Sequence, residues 1–231
     1  MKPALDSAEL AADVTGGAVS RAVPALYNNP VLDADFPDPT VIKADGFYYA
    51  YATQTLRDGE WINIQVARSV DLVHWEHLGD ALPQKPAWAE ATQDFWAPLV
   101  LHDGQRYLMY FSATPDACDP CCHCLSIAAS NSPAGPFVDI GAPLLLGRGF
   151  EFIDPMAFDD PVSGKHYLYW GSGFQPIKVQ ELSPDRLSFA PGSQPVDLIW
   201  PNPVQGAFPR LVQAAWVIHR VASDKMRRAP A

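Results

Sequence analysis

Asp38 and Asp154 each stand directly ahead of a proline and a short apolar run, as Asp38-Pro39-Thr40-Val41 and Asp154-Pro155-Met156-Ala157. Two carboxylates in matching surroundings are the raw material of acid–base hydrolysis. Held close together they repel, and at least one pKa is pushed upward. In inverting glycosidases the working pair stands roughly 6.5–9.5 Å apart, which admits a water molecule. Asp before Pro is also a common turn initiator, so either residue taken alone reads as structural. What shifts the balance is that both fall at the same point of an internal repeat.

The repeat has a period of roughly sixty residues. Its first copy reads Pro39-Thr40-Val41-Ile42, Asp45-Gly46, Phe47-Tyr48-Tyr49-Ala50-Tyr51; its second reads Pro98-Leu99-Val100-Leu101, Asp103-Gly104, Tyr107-Leu108-Met109-Tyr110-Phe111. A third reads Pro155-Met156-Ala157-Phe158, Ser163-Gly164, His166-Tyr167-Leu168-Tyr169-Trp170. Each continues into another β-rich segment, at Ile62–Ala67, Leu125–Ala129 and Ile177–Leu182. Apolar and polar residues alternate from Ile62 to Val66, the pattern of a half-buried strand, whereas the Tyr-rich runs read as buried on both faces. Units of four short strands joined by Asp-Gly-type turns are the signature of propeller blades, so the expected fold is an all-β propeller. Helical periodicity of any length occurs only from Ser7 to Ala12.

The innermost strands of a propeller line its central channel, so the residues that open each repeat converge on one region. In the alignment these are Asp38, Ala97, Asp154 and Gln213. Aromatic residues accompany them. Phe36 sits beside the first Asp, Phe152 beside the second, and Phe95-Trp96 ahead of the second copy. Aromatic faces stack on sugar rings, although most aromatics in a β core only pack. Trp96, Phe36 and Phe152 are therefore the candidate sugar contacts.

A formal net charge of −10 with a pI near 4.9 argues against nucleic acid or anionic membrane as partner, because phosphate binding needs a basic surface. A neutral ligand such as an oligo- or polysaccharide fits better. The 23 prolines and 15 glycines are spread through the chain as strand punctuation. No apolar run of about twenty residues is present to span a bilayer. Nor does the N-terminus carry the basic and apolar regions of an export signal, so as written the chain reads as cytoplasmic, with secretion left open.

Several of these stretches, taken in order, resemble glycoside hydrolase family 43. They are Asn29-Pro30-Val31-Leu32 with Asp35-Phe36-Pro37-Asp38-Pro39, Phe95-Trp96-Ala97-Pro98, Ser130–Phe137, Phe152-Ile153-Asp154-Pro155 and Gln180–Asp185. The resemblance implies a five-bladed propeller and inverting hydrolysis of α-L-arabinofuranosides or β-D-xylosides; no cofactor is assigned. Carried over by position, it implies that Asp38 is the general base and Asp154 the auxiliary carboxylate that orients the acid and tunes its pKa. The family's acid, a Glu opening the fourth blade, corresponds to Gln213 in Leu211-Val212-Gln213-Ala214. An amide cannot protonate a leaving oxygen, so turnover should suffer more than binding. Leu99 is a second departure, where relatives usually carry an acidic residue. Glu151 is the one nearby carboxyl that could stand in as acid.

The expected organisation is an N-terminal extension over 1–28, a partial propeller over 29–220 and a frayed tail over 221–231. The propeller holds about three blades and the start of a fourth, at Leu211–Arg220. Because the pattern stops mid-blade, a truncated reading frame is expected, against the alternative of a naturally short protein. Unclosed sheet edges predict self-association. The alternatives to an arabinofuranosidase or arabinanase are a β-D-xylosidase and a non-catalytic carbohydrate-binding remnant. All four cysteines lie in Cys118-Asp119-Pro120-Cys121-Cys122-His123-Cys124. The run invites a zinc reading, but its ligands fall within one hairpin loop, so no metal is assigned. Free thiols or a local bridge are expected, with Cys118 to Cys124 the pairing if oxidised.

Overall fold

The structure, a computed structural model, describes residues 27–118, 122–202 and 211–220. The helical patch Ser7–Ala12, nearly all of the N-terminal extension, the 221–231 tail and Cys121 lie outside these residues. The regular secondary structure of the described part is β-strand, with one 3-10 turn at Gly149–Phe152.

Three antiparallel blades follow one another along the chain. The first pairs β1 (Thr40–Ala44), β2 (Phe47–Ala52), β5 (Gln65–Ser69) and β6 (Trp75–Asp80) in that order, with a hairpin of β3 (Thr55–Arg57) and β4 (Glu60–Ile62) inserted between the second and third strands. The second orders β7 (Phe95–His102), β8 (Tyr107–Ala113), β9 (Cys122–Ser130) and β10 (Val138–Asp139), with β11 (Leu145–Arg148) also pairing β9. The third orders β12 (Met156–Asp159), β13 (His166–Trp170), β14 (Ile177–Leu182) and β15 (Val196–Ile199).

Turn chemistry fixes each hairpin. Asp45 and Gly46 take φ of 51° and 83°, the double positive φ of a type I′ turn, and register Ala44 opposite Phe47. In the second blade, Asp103 Oδ1 accepts the N–H groups of Gln105 and Arg106, both at 2.8 Å. In the third, the Asp160 carboxylate accepts those of Val162 and Ser163. Its neighbour Asp159 takes a two-pronged bond from Arg186 at 2.9 Å.

The core lies between blades. On β8, Met109 and Phe111 join the cluster shared with blade one, while Leu108 and Tyr110 join the cluster shared with blade three. Every residue of β8 is buried, as a strand covered on both faces must be. Burial on β13 is partial, because blade three has a described blade on one side only.

Two expectations need correction. Ile62–Ala67 is not one strand: the Asp80 carboxylate takes the Asn63 and Ile64 N–H groups at 2.8 and 3.1 Å and separates β4 from β5. Its polar positions do not face water either. Asn63 and Gln65 are buried, and their amides donate to the carbonyls of Leu82 and Thr53. At Leu211–Arg220 the chain forms no strand, only a two-way bridge between Val212 and Gly173, with Ala215 and Val217 packed against the second core cluster.

Candidate active site

Asp38, Ala97, Asp154 and Ala214 adopt left-handed backbone conformations, with φ of 52°, 43°, 58° and 42°. Such a conformation costs a non-glycine residue about 1–2 kcal/mol and clusters at functional sites. Here it recurs at the opening of each repeat. The fourth member is Ala214, not Gln213, so the sequence alignment of copy four is one residue out of step. Gln213 precedes its left-handed alanine just as Trp96 precedes Ala97.

These turns surround one cleft of about 460 Å³, lined by Asp38, Trp96, Asp154, Gln213 and Trp216 among others. The two aspartates that the repeat brings together share it, although their surroundings differ. Asp38 is exposed at its wall, whereas Asp154 is half-buried. Burial raises the Asp154 pKa, the Asp38 charge adds to the rise, and a bond from Ser172 opposes it. Unequal environments are what separate the duties of two carboxylates.

Side-chain hydroxyls at the ends of the second strands tie blade to blade. Thr53 Oγ1 donates to Asp38 Oδ2 at 2.7 Å and accepts the Ala97 N–H at 2.8 Å. Ser112 Oγ accepts the Asp154 N–H at 3.1 Å. Ser172 Oγ donates to Asp154 Oδ2 and accepts the Ala214 N–H at 3.2 Å. Sequence reasoning missed all three. Their signal is a Ser or Thr at the close of each aromatic strand, in Tyr51-Ala52-Thr53, Phe111-Ser112 and Trp170-Gly171-Ser172.

Trp96 is backed by His123, with ring centroids 5.0 Å apart, and His123 in turn meets Phe150 at 5.3 Å. His123 Nδ1 is 2.9 Å from the Gly149 carbonyl oxygen. This histidine, which its neighbours suggest as a metal ligand, therefore supports the cleft wall. Cys122 and Cys124 carry free thiols, so the Cys118–Cys124 bridge is not formed in the structure. Phe36 and Phe152 lie outside the cleft. Phe36 meets His77 edge-on at 6.5 Å in a separate apolar depression. Phe152 packs against the second core cluster, its ring filling the space that a side chain on Gly147 would occupy. Glu151 points to Lys178, whose Nζ stands 3.5 Å from Oε1, and it too is absent from the cleft lining.

A family model, glycosyl hydrolases family 43, matches residues 27–208. The chain belongs to that family. It is 29% identical over 180 residues to an extracellular endo-α-(1→5)-L-arabinanase of Thermotoga petrophila, a match covering 64% of this chain and 36% of that protein. It is 33% identical to xylosidase/arabinosidase 43B of Humicola insolens, with 68% and 30% covered. A thermostable family-43 glycoside hydrolase of known structure superposes with a TM-score of 0.62 at 33% identity, over 77% of this chain and 57% of that one. The family 43 chain thus spans about a third of the length of these two sequence relatives. The propeller expected from the repeat, of the five-bladed type that the resemblance implies, is borne out in incomplete form, as three blades among the described residues.

Proposed function

We propose that this family 43 chain carries the water-activating half of an inverting glycosidase for arabinan- or xylan-type saccharides, with α-L-arabinofuranosides first. The observation that carries the reading is the shared cleft of Asp38, Asp154 and Gln213. In this reading the exposed Asp38 carboxylate takes the proton of a water that attacks the anomeric carbon. Asp154, shielded and close enough to feel the Asp38 charge, orients the group opposite. Trp96 and Trp216 supply apolar faces for the sugar ring. The arabinanase and xylosidase/arabinosidase relatives support this substrate class, and the net charge of −10 suits a neutral partner.

Gln213 occupies the place from which the family's acid would protonate the departing oxygen. Its amide can donate a hydrogen bond there but no proton. Loss of general acid assistance removes typically 10²–10⁴-fold in rate. The same observation favours a second reading, a carbohydrate-binding protein with residual or no turnover. Assays on aryl α-L-arabinofuranoside and aryl β-D-xyloside decide between them. Slow turnover that Asp38→Asn abolishes supports the hydrolase; sugar binding without turnover, even in Gln213→Glu, leaves the binding reading alone.

A further inference from the structure

Ser172 is buried between two glycines of positive φ, Gly171 at 112° and Gly173 at 88°. Each of the three residues is anchored through its backbone to a different piece of the site. Gly171 N–H reaches the Ile153 carbonyl at 2.9 Å, beside Asp154. Ser172 N–H reaches that of Phe150 at 3.0 Å, in the 3-10 turn. Gly173 exchanges bonds of 2.7 and 3.0 Å with Val212, beside Gln213. An added side chain at Gly171 would come within 3.0 Å of the Pro176 carbonyl oxygen, so the segment has little room to shift.

We infer that Ser172 is a positioning residue that couples the charge state of Asp154 to the placement of the Gln213-Ala214 backbone. A hydroxyl has one proton to give and two lone pairs to receive with. Here the proton goes to Asp154 Oδ2 and one lone pair takes the Ala214 N–H. The arrangement is complete only while Asp154 is the acceptor. If Asp154 gains a proton and donates it back, the Ser172 proton must find another acceptor in a buried site, and the bond to Ala214 is disturbed. One hydroxyl group therefore links the auxiliary carboxylate to the segment carrying the acid position. This role rests on the reading of Asp154 and Gln213 given above, but its physical content does not depend on turnover.

The test titrates the Asp154 side chain by carboxyl-carbon NMR in the full chain and follows hydrogen exchange at the Ala214 amide, without substrate. Ser172→Ala should move the Asp154 midpoint upward, because a donor to the charged form is lost, and should speed Ala214 exchange about 5–10-fold. Ser172→Cys, a weaker donor, should fall between and guards against misfolding of the alanine variant. An unchanged or lowered Asp154 midpoint in Ser172→Ala, or unaltered Ala214 exchange, overturns the coupling. Failure of the glycosidase reading would show separately, as shifted NMR behaviour in a chain that hydrolyses no sugar.

Discussion

Thr53 donates a 2.7 Å hydrogen bond to Asp38 while the same oxygen accepts the Ala97 N–H at 2.8 Å, so the proposed base of blade one is held through the backbone of blade two. Thr53→Val keeps the shape and removes both bonds. The Ala97 N–H, on a residue already at φ 43°, loses its partner. The expected cost is about 1–3 kcal/mol in urea unfolding. Thr53→Ser, which keeps the hydroxyl, should stay within about 1 kcal/mol of the parent. Equal losses in both variants would mean that the methyl group matters more than the hydroxyl.

Asp154 should make stability depend on pH. Its pKa is raised, first by burial and then by Asp38, above the ordinary aspartate value of 3.8. The folded chain then holds more proton than the unfolded chain between 3.8 and the raised value, so this residue's contribution to stability falls as pH rises through that window. Asp154→Asn is expected to raise the melting temperature at pH 7, with the gain fading in acid below the unfolded value. Asp38→Asn should lower the Asp154 midpoint in carboxyl-carbon NMR, because a neighbouring negative charge is removed. A midpoint unaffected by Asp38→Asn would place the two carboxylates out of electrostatic reach.

Which parts of the site were legible follows from what kind of signal each left. Asp38 and Asp154 were legible because a repeat converts distance along the chain into proximity, and the Asp45-Gly46 turn because it demands φ that few other pairs adopt. Phe36 and Phe152 are close to the carboxylates in sequence but are not among the residues lining the cleft. Phe36 meets His77 instead, and Phe152 fills the space over Gly147. The step between Gln213 and Ala214 was invisible because it is a backbone conformation carried by an alanine, which has no preference for it. Thr53 and Ser172 recur with the repeat at the close of its aromatic strands, but only the hydrogen bonds they make distinguish them from any other strand-end Ser or Thr.

Cys124 should be chemically silent. It is fully buried, and burial pushes its thiol up to about 12, so almost no thiolate exists at neutral pH. Iodoacetamide at pH 8 should leave Cys124 unmodified in the folded chain and alkylate it in urea, read by peptide mass spectrometry. Modification of native Cys124 at the rate of a free thiol would show that this end of β9 opens.

The leaving group is the sharpest probe of Gln213. Without a proton donor, bond cleavage relies on the intrinsic acidity of the departing alcohol, so rates along a series of aryl α-L-arabinofuranosides should fall steeply as the phenol weakens. Gln213→Glu places a carboxyl group at the cleft position that the amide now holds. Its benefit should be small for the most acidic phenols and should grow toward 10²–10⁴-fold for alkyl or sugar leaving groups, flattening the series. A gain that is uniform across leaving groups would assign position 213 to substrate binding, because only proton transfer is graded by the basicity of the oxygen that receives it.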